Sequence, residues 1–131
     1  KKSIAFEKIG NNIESKKCFD KYKEFNNHTP DVLDEWYKKG TVSNETGDYK
    51  TAIKCFDKAL EINPNFDKAW NNKGVAFYNL GKFNDAIKCY DKALEINPDY
   101  SEAWNNKGVA LGTLGKYEEA KQCFTKSREL E

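Results

Sequence analysis

Apolar residues recur at intervals of three and four along most of the chain, most clearly between Asp67 and Tyr100. Ala69, Trp70, Gly74, Phe77 and Leu80 fall on one stripe, the period of an amphipathic helix. Ala86, Ile87, Tyr90, Ala93 and Leu94 make a second stripe of the same period. Gly81 stands where a left-handed residue would end the first helix, and Lys82 and Phe83 make a short turn. Asn84 and Asp85 open the second helix, with acid near its positive end. Pro98 stops it, and Asp99, like Asn65 and Asp31 elsewhere, is placed to cap the next helix with its side chain. Helices of about fourteen residues, roughly 21 Å long, are marginal alone; two joined by a short turn pack antiparallel. Gly74 gives up about 1 kcal/mol of helix propensity. Gly40 and Gly108 repeat that choice, which points to a helix approaching too closely for a side chain.

The pattern recurs with a period of 34: Trp36, Trp70 and Trp104 keep that spacing, as do Pro30, Pro64 and Pro98, and Gly47, Gly81 and Gly115. Repeats of this length build arrays in which each hairpin buries a face only against its neighbour. The chain divides accordingly into 33–66, 67–100 and 101–131, with a degenerate helical hairpin over 1–32. In that first segment Cys18-Phe19-Asp20-Lys21 mirrors Cys55-Phe56-Asp57-Lys58, but Ser15 and Tyr22 replace the small Ala52 and Ala59. At the other end Lys121, Ser127 and Arg128 stand where Ile87, Ala93 and Leu94 stood. This is the polar outer face expected of a capping repeat.

Trp70-x2-Lys73-Gly74-x2-Phe77, followed by Ala86-x3-Tyr90-x2-Ala93 and Pro98, resembles the tetratricopeptide repeat. Trp36, Gly40, Ala52, Phe56, Ala59 and Pro64 match in the copy before, and Trp104, Gly108, Leu111, Ala120 and Phe124 in the copy after. Ser43 at the aromatic position and Ser127 at a small one depart from it. The resemblance implies an all-α fold, a right-handed α-solenoid of stacked antiparallel helix pairs. It also implies a concave surface lined by the first helix of each pair, on which a protein or peptide partner lies extended.

Helical phase then selects the inward positions. They are Asp34, Tyr37, Lys38, Thr41, Asn44 and Glu45 in the first copy. In the second they are Lys68, Asn71, Asn72, Val75, Tyr78 and Asn79, and in the third Glu102, Asn105, Asn106, Val109, Gly112 and Thr113. Asn71 with Asn105, and Asn72 with Asn106, repeat an amide at equal positions. An amide both donates and accepts, so such a ladder suits an extended backbone whatever its side chains. Tyr37, Tyr78, Val75 and Val109 add apolar surface, and Lys38 and Lys68 would favour an acidic ligand side chain. Three copies span roughly 30 Å, the length of about nine extended residues. Some members of the family clamp a C-terminal carboxylate with Lys and Asn. Those positions here hold Tyr37, Thr41, Asn72, Glu102 and Asn106, a set that argues against the clamp.

Composition narrows the remaining choices. Lys and Arg number 22 against 21 Asp and Glu, a net charge of +1. That balance lacks the basic excess that nucleic acid or an anionic membrane requires, and no apolar run reaches membrane-span length. The chain opens on Lys rather than Met, as an excised or processed segment would. Cys18, Cys55, Cys89 and Cys123 are one repeat position seen four times. Equivalent positions in stacked hairpins lie about 10 Å apart, beyond the roughly 7 Å reach of a disulfide. They read as small hydrophobes of a reducing, cytoplasmic compartment. The single His28 has no nucleophile or acid beside it, and neither a phosphate loop nor a metal-spaced cluster is present. The expectation is a non-enzymatic interaction scaffold without cofactor or metal. The competing reading is a structural module that self-associates weakly through repeat ends or convex faces.

Overall fold

The computed structural model describes residues 30–131; the degenerate hairpin expected over 1–32, with Cys18 and His28, lies almost wholly outside the described residues. Six helices follow one another: α1 (Pro30–Glu45), α2 (Tyr49–Ile62), α3 (Asp67–Asn79), α4 (Phe83–Ile96), α5 (Ser101–Thr113) and α6 (Tyr117–Glu129). No strand occurs among the described residues, and none of their helices is long and apolar enough to cross a membrane. The chain divides between Glu35 and Trp36 into two units, and the packing below is that of Trp36–Glu131. Helices pair as α3 with α4 and α5 with α6, and α2 lies on α3 as α4 lies on α5. The fold is an all-α solenoid of helical hairpins. First helices α3 and α5 also meet directly, while α4 and α6 make no contact of that extent. The row therefore closes on the first-helix side and splays on the second.

Within each pair a glycine meets a ring. A Cβ built on Gly74 would lie 2.5 Å from Cε1 of Tyr90, and Gly40 and Gly108 stand in the same relation to Phe56 and Phe124. Tyr90 and Phe56 are almost completely buried, so neither ring has room to retreat. Between pairs, alanines set the distance. Ala69 and Ala76 of α3 are fully buried in one cluster with Ala52, Phe56 and Leu60 of α2, and Ala103 of α5 lies in a cluster with Ala93 and Leu94 of α4.

The turns inside each pair follow from one residue. Gly81 has φ +80°. The Gly81 N–H donates to the Tyr78 carbonyl and the Lys82 N–H to the Phe77 carbonyl, 2.9 Å each. This six-to-one and five-to-two pattern closes a helix end only when its turning residue is left-handed. Gly47 and Gly115 repeat the conformation.

The loops between pairs depart from the sequence expectation. Asn65 and Asp99 do not cap α3 and α5; Phe66 and Tyr100 occupy the N-cap positions without side-chain bonds. The N–H groups of Asn65 and Asp99 instead donate to the side-chain oxygens of Asn63 and Asn97. An Asn just before the Pro folds the loop on itself, leaving an aromatic ring rather than an acid at the helix entrance. The indole N–H of Trp70 donates to the Pro64 carbonyl at 2.9 Å, and that of Trp104 to the Pro98 carbonyl at 2.8 Å. The bond recurs at the same six-residue separation in both copies. Lys73 joins the same corner: its ammonium pairs with Asp57 of α2 at 2.6 Å and lies 5.1 Å from the Trp70 ring centre. Lys107, Asp91 and Trp104 repeat the arrangement one pair later.

At the C-terminal end Ser127 contradicts its assignment to a polar outer face. It is buried, with its hydroxyl donating to the Ser101 carbonyl at 3.0 Å. Lys121 and Arg128 are exposed.

The glycine contact makes a direct prediction. Gly74→Ala gains about 1 kcal/mol of helix propensity but overpacks the Tyr90 ring, at a cost of about 1–3 kcal/mol. Urea melts are expected to show a net loss on the order of 1 kcal/mol. The loss should shrink when the same change is made in Tyr90→Leu protein. An equal loss in both backgrounds would show that the ring does not impose the glycine.

Candidate functional site

The first helices present their side chains to one another across the stack, and the offset between partners is 35 residues rather than 34. The Asn72 amide donates to the Tyr37 hydroxyl at 2.9 Å. The Asn106 amide donates to Oδ1 of Asn71 at 3.1 Å. The hydroxyls of Tyr78 and Thr113 are 3.0 Å apart. Each of these three pairs is separated by 35 positions. Neighbouring first helices are displaced by one residue of register, so a position in one copy faces the following position in the next. A longer contact of 3.5 Å, from the Asn71 amide to Oδ1 of Asn72, links two of the rungs. The result is a relay from Tyr37 through Asn72 and Asn71 to Asn106, crossing α1, α3 and α5.

This arrangement corrects the amide ladder expected from equal positions. Asn71 has no exposed surface at all, while Asn105 at the equivalent position is exposed. The cause is the neighbour: α5 covers Asn71, whereas no described helix follows to cover Asn105. Asn72 is half-buried with both ends of its amide engaged. Asn106 gives its N–H to Asn71, and its own Oδ1 meets no other described residue. Its carbonyl oxygen is therefore an open acceptor on this surface, beside the exposed Asn79 and Asn105.

The remaining expected residues are spread around this line. Tyr37 is half-buried, its ring 4.9 Å from Phe66 and 6.0 Å from Phe56. Thr41 turns inward and donates to the Tyr37 carbonyl at 2.9 Å. Val75 and Tyr78 are half-buried against the α4 and α5 cluster, and Val109 is 39 % exposed. Asn79 is exposed, with its amide donating to the Val75 carbonyl. Lys38 and Lys68 are exposed. Asn44 donates to the Asn72 carbonyl at 3.0 Å, which ties α1 to α3; its Oδ1 is buried without a partner.

Tyr100 escaped the sequence reading. It sits half-buried at the N-cap position of α5. The signal available was its 34-residue spacing from Phe66, the ring that stacks on Tyr37. Burial, followed by the charge of Glu102, pushes the Tyr100 hydroxyl well above its ordinary value. Burial also raises Tyr37, against the Asn72 hydrogen bond, which pulls the other way. Both phenols stay protonated at neutral pH and can donate. Cys55, Cys89 and Cys123 are free and buried, and burial pushes the Cys89 thiol up to about 11. Such thiols behave as packing groups, not nucleophiles.

The contrast between Asn71 and Asn105 is measurable. Asn71→Ala removes a fully buried amide and leaves its half-buried partners Asn72 and Asn106 without it, a loss of about 1–3 kcal/mol. Asn105→Ala, at an exposed position, should stay within about 0.5 kcal/mol of the parent. Equal effects in chemical denaturation would remove the relay as a structural element.

Profiles described as tetratricopeptide repeat match residues 67–100 and 89–122, and one described as TPR repeat matches 40–81. Comparison with curated proteins yields no match. Among solved structures, the first TPR of Spaghetti (RPAP3) bound to the HSP90 peptide SRMEEVD is 30% identical, with a TM-score of 0.74. The match covers 76% of this chain and 79% of that one. The Sgt2 TPR domain from Aspergillus fumigatus is 27% identical over 78% of this chain and 67% of its own, also with a TM-score of 0.74. MamA, 24% identical with a TM-score of 0.71, shares the fold; the match covers 75% of this chain and spans 57% of the MamA chain. With repeat profiles along residues 40–122 and a neighbour of this identity and coverage, the chain belongs to the tetratricopeptide repeat family.

Proposed function

We propose that this chain is a protein-interaction module whose first-helix face holds an extended peptide segment of a partner. The observation that carries the reading is the row formed by Asn106, Val75, Tyr78 and Val109. Val109 is 39 % exposed, the Asn106 carbonyl has no described partner, and the row lies on the side where the first helices converge. The structural neighbour Spaghetti holds a peptide, which supports the class of ligand. The amide relay modifies how binding would work. Asn72 and Asn71 hold neighbouring helices at a fixed distance, and Asn106 is the amide that reaches the peptide backbone. Tyr37, Thr41 and Glu102 occupy the carboxylate-clamp positions, so a free acidic C-terminus is not the ligand. Such a small polar face suits affinity on the order of micromolar.

The test uses nine-residue peptides selected on the immobilised protein from a random display library, then titrated into 15N-labelled protein. Shifts are expected at Val75, Tyr78, Asn106 and Val109. Val109→Glu should weaken binding by about tenfold, and the peptide SRMEEVD should leave the spectrum unchanged. Shifts confined to α4 and α6 would overturn the reading.

A second reading is favoured by the C-terminal end. Tyr117 is 72 % exposed. Phe124 is half-buried where its counterparts Tyr90 and Phe56 are covered by the following helix. We propose weak self-association through this end. Light scattering is expected to show mass rising with concentration, and Tyr117→Glu with Phe124→Leu should abolish the rise. A monomer at all concentrations would dispose of it.

A further inference from the structure

Behind the first helices the splay of α4 and α6 leaves an open groove of about 860 Å³ over the back of α5. Its floor is Ile87, Trp104 and Leu111. Trp104 and Leu111 lie on one stripe of α5, and at 100° per residue this stripe faces roughly opposite to Asn106 and Val109. The groove is therefore separate from the surface discussed above.

Internal repetition shows what is missing from it. Leu111 occupies the position that Phe77 occupies one copy earlier. There the Phe77 ring lies in the same corner as Trp70, both within reach of the Lys73 ammonium, at 6.0 and 5.1 Å from the ring centres. In the later copy Lys107 keeps its place 5.7 Å from Trp104 and 2.7 Å from Asp91, but the second ring is gone. The corner keeps its tryptophan, its lysine and its acid, with the smaller Leu111 in place of the ring beside the open groove.

The rim supplies the second half of the argument. Four lysines and two acids border the groove: Lys88, Lys107, Lys116 and Lys126 against Asp91 and Glu119. Lys107 is neutralised by Asp91. Lys88, Lys116 and Lys126 pair with no other described residue, which leaves three free cations facing one carboxylate. A positive rim around an apolar floor complements an acidic segment with one apolar side chain. A nucleic acid fits it less well, because Glu119 and Asp91 would face its phosphates and none of the rim cations is an arginine.

We propose that this groove is a second docking site, for a short acidic segment of a partner protein whose single phenylalanine-sized side chain fills the space beside Trp104 and Leu111. The carboxylates flanking that side chain pair with Lys88, Lys116 and Lys126. The site does not depend on peptide binding at the first-helix face.

The probe is a fluorescein-labelled peptide of sequence EDEFEDE, read by anisotropy and by 15N spectra of the whole chain. Binding is expected to shift the Trp104 indole, Ile87 and Gln122 signals while Asn72 and Val109 stay still. Replacing the peptide's Phe by Ala, or its acids by Lys, should each weaken binding at least tenfold. In the protein, Leu111→Phe installs the residue found one copy earlier; with the helical fold checked by circular dichroism, it should reduce the groove and weaken binding at least tenfold. Lys88→Glu with Lys126→Glu should do the same, and the parent's affinity should fall with added salt. The proposal is overturned by unchanged affinity in Leu111→Phe protein or by shifts confined to the Asn72 and Val109 face. Tighter binding of a uridine oligonucleotide at the same residues would overturn it equally.

Discussion

Everything in this array depends on a backbone approaching a ring. A Cβ at Gly74 would sit 2.5 Å from Tyr90, and the same contact occurs at Gly40 with Phe56 and at Gly108 with Phe124. Because the glycine gives no side chain, the ring of the second helix lies on the first helix's backbone, and the two axes are drawn together. That closeness brings Ala86 and Ala93 into a common core with residues of α5. A larger residue at the glycine would push the pair apart, and the next pair would no longer find its alanine face. The cost of glycine in a helix, about 1 kcal/mol, is small beside the burial it permits.

Stacking uses different chemistry on the two sides of the row. On the first-helix side the links are short neutral hydrogen bonds: Tyr37 with Asn72, Asn71 with Asn106, Tyr78 with Thr113. On the second-helix side they are the Lys73–Asp57 and Lys107–Asp91 pairs, each beside a tryptophan. Amides are small and let α3 and α5 touch. Lysine stems are long and link each second helix to the first helix of the next pair. The row closes where α3 and α5 meet and opens between α4 and α6, so one side is a lined face and the other a cleft.

Helix existence, pairing and the turning glycines were legible in the sequence because each follows from local periodicity or a single backbone conformation. Gly81 ends α3 as its position implied. What could not be read is what depends on the angle between copies. Equal positions in a 34-residue repeat suggest that Asn72 faces Asn106, but the one-residue displacement of neighbouring first helices pairs Asn106 with Asn71 instead. Asn71 is thereby buried while Asn105, identical in local sequence, is exposed. The capping role expected of Asp99 failed because the helix begins one residue later, with Tyr100 at the N-cap position. Ser127 looked like a surface residue by its polarity, yet a carbonyl of Ser101 lies within its reach.

Repetition is therefore informative in two ways. Where copies agree, as at Trp and Pro, the shared residue makes a shared bond, here from the indole to the loop carbonyl. Where they differ against an otherwise constant setting, the difference isolates one property. Position 43 carries a buried Ser, position 77 a Phe in contact with its own copy's lysine, and position 111 a Leu beside an open groove. The surrounding Trp, Lys and Asp are the same in the last two. A smaller residue in an otherwise constant corner stands beside an open groove bordered by lysines that no described acid pairs. The near-zero net charge of the chain conceals this, because sums over the sequence cannot distinguish a lysine paired across the stack from one facing an empty cleft.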